Sequence, residues 1–431
     1  MTPGFLRKAL GFTLVGMTLS LKAADWPQYR GPHTDGTTED VVAKKWPATG
    51  PKAVWKAPTT DGFSSFTLGG GHLYTMVGRV IQGAYQEVCV ALDAKTGKEV
   101  WAQPLTPVKF DGQANAGEPN NNGGEGPRST PTYDDGKVYA LGAKLLLKCF
   151  DAKSGKVLWS EDLITKHAGR NITWDNAASP LVEGNLVFVA GGGPGEGLLG
   201  FDKKTGKVAW KGEDDKMTHA TPIAATILGT RQVIFFTQSG LVSVVPESGK
   251  VLWRHPFKFS VSTAASPVVG GDIVYCAAGY GVGASAAKIS KVGTGFHATE
   301  LWRLQGNKPV ANHWSTPVYK DGYLYGMFSF KDYGKGPMKC VELLTGQVKW
   351  EQPNFGSGQV ILAGDTVVAL SDKGEVVLVD PSPSGYKELA RADVLDGKCW
   401  STPAVSNGRL YARSTKEAVC LDLSSKTAML K

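Results

Sequence analysis

From about residue 63 to residue 423 the chain alternates short apolar stretches with turns built from Gly, Asp, Asn and Lys, and the alternation has period two rather than 3.6. The clearest unit is LDAKTGKEVW, Leu92 to Trp101. It returns as FDAKSGKVLW, Phe150 to Trp159, and FDKKTGKVAW, Phe201 to Trp210. More divergent copies end at Trp253 (VPESGKVLW), Trp302 (GFHATELW) and Trp350 (ELLTGQVKW). Each reads as a β-hairpin. The acidic residue opens the turn through its side chain, Gly takes the positive φ, and Lys returns the chain to solvent.

The six tryptophans are spaced by 58, 51, 43, 49 and 48 residues, a period typical of propeller blades. Ahead of each hairpin a second pair of strands is introduced by Ser or Thr before Pro, as in RSTPTYDDGKVYA and NAASPLVEGNLVFV. The same phrase recurs almost verbatim as HWSTPVYKDGYLYG (His313 to Gly326) and CWSTPAVSNGRLYA (Cys399 to Ala412). Proline cannot donate to a ladder, so its place is at the start of a strand. One repeat is therefore four strands, and repeats begin near Phe63, Ser129, Ala177, His219, Ala264, Trp314, Ser357 and Trp400.

The last repeat reaches only Leu423, too short for a fourth strand, whereas KAVWKAP around Trp55 is a strand without a partner. Pairing the two would close the ring and remove its open edge. The predicted fold is all-β: an eight-bladed β-propeller of four-stranded antiparallel blades, closed by an N-terminal strand. It occupies residues 50–431, preceded by an extension at 24–49 and a signal peptide at 1–23. The repeating tryptophans, Trp159 among them, are expected to pack between blades rather than to act in chemistry.

The signal reading rests on Arg7 and Lys8 before the apolar run Ala9 to Leu21, with small Ala23 and Ala24 after it. No later stretch has transmembrane length, and no cysteine follows the run, which speaks against a lipid anchor. A periplasmic or secreted protein is expected, acting as a monomer. Loss of three basic residues and no acid would lower the formal charge from +8 to +5, and the remaining basic residues are scattered among turns. Nucleic acid is excluded as a partner on that ground. Of the six cysteines, Cys149, Cys340 and Cys420 recur at one repeat position, which favours free buried thiols; a Cys399–Cys420 pair stays open.

Candidate chemistry gathers where chain segments lead into the innermost strands, at one mouth of the central channel. Trp314 and Trp400 of the doubled phrase fall there with His313, Trp174 and Asn176 of NITWDNAASP, His219 of MTHATP and Arg128 of GEGPRSTP. Aromatic faces with polar tips suit a planar or sugar-like ligand, or an extended peptide. Equally, these residues could do no more than close the channel. The long polar segment Thr106 to Gly126 is expected at the same mouth. GGGPGEG, Gly191 to Gly197, lacks the Lys-Ser/Thr of a phosphate loop and reads as a strand connection. GFSSF at Gly62 lacks the last Gly of a nucleophile elbow. No His or Cys spacing predicts a metal site, and no residue is assigned as catalytic.

The full pattern, [ST]-x-P, then G-x-[VL]-Y, then D-x-x-[ST]-G-K-x-x-W, resembles the pyrroloquinoline-quinone-type (PQQ-like) propeller repeat over nearly all of Trp55 to Leu423. That family holds quinoprotein alcohol and sugar dehydrogenases and non-enzymatic propellers, including the lipoprotein of the outer-membrane β-barrel assembly machinery. The start DWPQYRGP, Asp25 to Pro32, is similar to that of secreted propellers of unassigned function. The dehydrogenase branch implies a stacked quinone, calcium, an aspartate base and often adjacent cysteines. This chain has no adjacent cysteine pair, and only Trp174, Asp175 and Asn176 form a cluster that could be recruited. The resemblance therefore implies a non-catalytic binding or protein-interaction scaffold of the cell envelope, with an envelope protein, peptide or small molecule at the channel mouth and no cofactor. The alternative it implies is a dehydrogenase using PQQ with calcium.

Overall fold

The computed structural model describes residues 25–108 and 126–424. The signal-peptide segment and most of the segment Thr106 to Gly126 lie outside the described residues. Eight sheets follow one another along the chain, six of them fully antiparallel with four strands in sequence order. The first blade is Thr67–Gly69, His72–Ile81, Ala84–Asp93 and Glu99–Pro107, and the sixth is Val318–Lys320, Tyr323–Met327, Met338–Glu342 and Val348–Gln352. The eighth takes three strands from the C-terminal end, Ala404–Ser406, Arg409–Arg413 and Glu417–Asp422, and its outer strand from Lys52–Pro58. The propeller and its closure are as the repeat predicted.

Inner strands are sandwiched between neighbouring blades, so both of their faces are apolar; in the seventh blade Gln359–Ala363 and Thr366–Leu370 are buried at every position. Outer strands such as Val157–Asp162 stay largely in water. The core is thus a series of interblade layers. One joins Tyr139, Leu147 and Cys149 of the second blade to Val187, Leu199 and Phe201 of the third. All six thiols are buried and free, Cys399 and Cys420 included. The recurring cysteines face a tyrosine across the ladder, Tyr139 with Cys149, Tyr325 with Cys340 and Tyr411 with Cys420, where a small soft side chain fits against the ring.

The tryptophan beat has a specific physical cause. Each outer-strand indole donates its N–H to a backbone carbonyl in the hairpin turn of the next blade: Trp101 to Ala152 at 2.9 Å, Trp159 to Lys203 at 3.2 Å, Trp210 to Pro246 at 2.8 Å and Trp302 to Leu343 at 2.9 Å. Its ring lies against the turn glycine, where any Cβ would collide: a Cβ on Gly155 would meet Trp101 at 2.8 Å, and one on Gly249 would meet Trp210 at 2.4 Å. The glycine is thus demanded twice, by its positive φ and by the ring. Trp55 does the same from the closing strand, donating to Ala94 at 3.0 Å and covering Gly97. Trp253 is the exception. The fifth blade has a long hairpin, Gly283–Val292 with Gly295–Leu304, in place of the short turn, and Trp253 donates to Gln232 of its own blade at 2.7 Å.

The Ser or Thr before each proline ties the inner ring. The hydroxyl accepts the backbone N–H of its counterpart in the preceding blade: Ser65 N–H to Thr130, Thr130 N–H to Ser179, Ser179 N–H to Thr221, Ser266 N–H to Thr316 and Thr402 N–H to Ser65, all at 2.8–3.0 Å. The last of these crosses the closure. Arg413 reinforces that seam: buried in the eighth blade, it donates to the Thr75 hydroxyl and to the carbonyls of Met76 and Thr60. In the seventh blade the hydroxyl is missing because Gly358 stands there, and Gln359 takes over, donating its amide to the carbonyls of Trp314 at 2.9 Å and Trp400 at 3.2 Å.

The extension predicted at residues 24–49 crosses the channel. Trp26 carbonyl accepts from Leu68, Pro27 carbonyl from Tyr133, the Gln28 side chain from Val182, and Thr34 exchanges hydrogen bonds with Ala224. Arg30, fully buried, donates to the carbonyls of Thr316, Pro317 and Asp35, and burial lowers its pKa. Thr37–Thr38 then pairs in parallel with Gln359–Ala363, giving the seventh blade a fifth strand. One short stretch of chain therefore bonds to the inner edges of six blades. Its start, DWPQYRGP, is a plug.

Candidate binding funnel at the channel mouth

One position of the repeat builds the mouth. Three residues before the proline, or its equivalent, stand Phe63, Arg128, Ala177, His219, Ala264, Trp314, Gly356 and Trp400, one from each blade, and all but Gly356 line a cavity of about 240 Å³. Two blades have alanine there, and the wall is completed by Trp174, whose ring lies 12° from the plane of Tyr280 at 6.1 Å. At the seventh blade Gln359 supplies the wall. Tyr29 of the plug faces the same cavity and makes it blind.

The aromatic lining is continuous. Phe63 stacks on Trp400 at 4.9 Å, Trp400 on Trp314 at 5.2 Å, and Tyr333 lies parallel to Trp400 at 5.5 Å. His313 joins this wall to the other, 4.8 Å from Trp314 and edge-on to Tyr280 at 5.0 Å. Trp174 is 40% exposed and carries a positive φ of 70°. Arg128 donates to its carbonyl at 2.5 Å, which holds that strained turn in place. Lys331 places its ammonium 5.2 Å from the Tyr280 ring centre.

Burial sets the protonation of the funnel. It pulls His219 down to about 4, aided by Arg128, and His313 down to about 3, aided by His219 and Lys331, so both imidazoles are neutral near pH 7. Lys398, with its ammonium 4.6 Å from the Trp400 ring, is lowered by burial to about 8 while Asp372 pulls the other way. The His219 imidazole bonds the backbone of Thr173 and Asp175, whereas His313 Nδ1, Gln359 Oε1 and the Thr402 hydroxyl are sealed from solvent without a hydrogen-bond partner. Such groups each cost about 1–3 kcal/mol unless something supplies the missing bond.

Six of the seven residues predicted for the site, Arg128, Trp174, His219, His313, Trp314 and Trp400, come together around this cavity. Asn176 does not line it. Its side chain bonds the Gly142 and Ala178 carbonyls and accepts from the Ala178 N–H, fixing the loop that presents Trp174. Sequence reasoning missed Phe63, Tyr29, Tyr280, Lys331 and Gln359. Phe63 had a signal, because FSSF aligns with WSTP and puts Phe63 where Trp314 and Trp400 stand. Tyr280 and Lys331 belong to loops outside the repeat and had none.

A family model described as outer membrane protein assembly factor BamB matches residues 86–326 and 334–430. The chain belongs to that family. Among curated proteins, the BamB of Moranella endobia (strain PCIT) is 22% identical over 289 residues, covering 64% of this chain and 70% of that protein. A quinohemoprotein alcohol dehydrogenase, ADH IIB of Pseudomonas putida, is 30% identical over 126 residues, which is 28% of this chain and 17% of that enzyme. Among solved structures, the quinohemoprotein alcohol dehydrogenase of Comamonas testosteroni superposes with a TM-score of 0.63 at 13% identity, covering 93% of this chain and 80% of that one, a likeness of fold. The BamB family thus shares its propeller with PQQ enzymes, and the funnel can be tested for such a cofactor. Calcium needs several hard oxygen ligands, with carboxylates prominent among them. Among the described residues the lining offers hydroxyls, an amide, imidazoles and two cations, Arg128 and Lys331, but no carboxylate, and no group of three His, Cys, Asp or Glu is placed to hold a metal. The donor set does not fit quinone with calcium.

Proposed function

We propose that this BamB-family propeller is a non-catalytic binding scaffold of the cell envelope, and that the blind aromatic funnel is where its ligand or partner docks. The observation that carries this reading is the lining itself. Seven blades contribute through one repeat position, and the walls are aromatic and cationic. Rigid aromatic anchors around a desolvated pocket are what binding sites use. Export to the periplasm or beyond accords with the leader read at residues 1–23, with relatives named for outer-membrane protein assembly, and with the absence, among the described residues, of a helix long and apolar enough to cross a membrane.

The test is direct. Purified protein is mixed with PQQ and Ca²⁺ and assayed for dye reduction with alcohols and aldose sugars. We expect neither stoichiometric quinone binding nor turnover. Saturable quinone binding with turnover would replace the scaffold by a dehydrogenase.

A further inference from the structure

The polar atoms of the funnel divide into those that a ligand can meet and those that it cannot. His313 Nδ1, Gln359 Oε1 and the Thr402 hydroxyl are sealed, and the hydroxyls of Ser65, Ser179 and Thr221 already accept backbone N–H groups. Little is left to read a polyol. The open groups differ in kind. The Trp46 indole N–H is sealed, whereas those of Trp314 and Trp400 are neither sealed nor bonded among the described residues. Lys331 is exposed, with its ammonium 5.2 Å from the Tyr280 ring centre and 5.3 Å from that of Phe330, and among the described residues it pairs with no carboxylate. The Asp372 carboxylate that ties the same loop accepts instead from the N–H groups of Gly334 at 2.8 Å and Ser357 at 3.1 Å. Arg128 is engaged on the Trp174 carbonyl. Apart from the hydroxyls of Tyr29 and Tyr280, which can do either, the open groups donate, so the ligand must accept.

The rest of the wall is flat and apolar, from Phe63, Trp174, Trp314 and Trp400, and a hydroxyl-rich ring laid on it would leave its hydroxyls without partners. An aromatic ring has none to satisfy, and it stacks. Size narrows the class further. A cavity of about 240 Å³ has the room of roughly eight waters at ~30 Å³ each, which suits one six-membered ring with its carboxylate and is exceeded by the fused tricyclic body of PQQ. The loops that carry Tyr280 and Lys331 are set before any ligand arrives: Gly281 N–H bonds the Asn307 side chain at 2.7 Å, and a Cβ on Gly279 would meet the Phe330 ring at 2.4 Å, so the two loops are in contact. Preorganised walls lower the ordering cost of binding. We propose that the funnel binds a single-ring aromatic carboxylate, with its ring face on the tryptophans and its carboxylate accepting from Lys331 and an open indole N–H. This rests on the mouth being a binding site, and it adds what binds.

The test uses the full chain with benzoate, para-hydroxybenzoate and cinnamate, beside the matching neutral amides and the saturated acid cyclohexanecarboxylate, titrated by calorimetry. At least one aromatic acid should bind saturably, about tenfold or more tightly than its amide and severalfold more tightly than cyclohexanecarboxylate. The preference over the amide should shrink as NaCl rises from about 0.05 to about 0.5 M and the charges are screened. Lys331→Ala, at an exposed site, should bring the acid close to its amide and leave the amide unchanged, whereas Trp314→Ala should weaken both. Equal binding of acid and amide, equal or tighter binding of the saturated acid, an acid preference that survives Lys331→Ala, or no saturable binding of any aromatic acid would overturn the proposal. None of those results would restore a dehydrogenase, since only quinone turnover bears on the scaffold reading.

Discussion

Tryptophans at the rim of the ring and tryptophans at its mouth are used for opposite ends. At the rim, Trp101 and Trp210 are each 8% exposed, with the indole N–H on the next blade's backbone and the ring pressed on a glycine. At the mouth, Trp314 and Trp400 are half-buried and stack on one another, Trp400 also on Phe63, and among the described residues their N–H groups meet no protein acceptor. The rim indole has everything it needs from the next blade. The mouth indole does not, and its open polar edge and half-exposed ring are what a ligand can use. Regular repetition therefore says that a residue is structural only where its hydrogen bond is also repeated.

Breaking the rim should have the largest effect. Deleting residues through Pro58 removes the outer strand of the eighth blade, the Trp55 dock on Gly97 and the plug together. The exposed edge should drive association, seen as aggregation in size-exclusion chromatography and loss of a cooperative melt. A monomer with unchanged melting would show that the closure is dispensable.

Next in size, Trp210→Ala should cost about 3–5 kcal/mol in chemical denaturation, as large buried aromatics do. Trp159, only partly buried, should cost less on the same truncation. Gly249→Ala attacks the same dock from the other side, because its φ is +68° and the new Cβ would lie 2.4 Å from the Trp210 ring; it should destabilise by more than about 1 kcal/mol.

Mouth substitutions sharpen the contrast. Trp314→Ala and Trp400→Ala should lower stability by less than Trp210→Ala and leave the melt cooperative, while ligand binding weakens by one to a few kcal/mol. If they instead melt the protein as Trp210→Ala does, and leave binding untouched, the mouth is a second packing layer.

The smallest effect separates the regions by pH. His219 and His313 have folded pKa values below their ordinary 6.5, so the unfolded chain binds more protons as pH falls below that value. Their contribution to stability is fully present above about pH 6.5 and is lost as pH drops through about 4 to 3. Acid should therefore loosen the mouth, and His313→Gln should reduce the fall in melting temperature between pH 6.5 and 4. An identical pH profile for the variant would mean that other groups govern the acid limb.

Much of this was legible in the chain. The hairpin motif, its period and the unpartnered strand at Trp55 identify an eight-bladed closed ring, because each motif encodes a local turn and each blade needs the same two neighbours. Most of the funnel was legible for the same reason: Arg128, His219, Trp314 and Trp400 stand at one repeat position. Asn176 misled because a polar residue beside Trp174 can serve the loop as well as the cavity, and only its hydrogen bonds distinguish the two.

What the order of residues determined by itself is whatever repeats: strand pairing, turn glycines, the Ser/Thr-Pro hydroxyls and the closing strand, all of them consequences of period and local backbone chemistry. Three things were decided only in three dimensions. The stretch from Trp26 to Thr38 crosses the channel because its backbone and side-chain groups find the inner edges of six blades that lie far apart in the chain. Tyr280 and Lys331 reach the funnel from loops whose direction no repeat dictates. The cavity exists because alanine at positions 177 and 264 leaves space that larger side chains would have filled, and a void is a property of what surrounds it, not of any one segment.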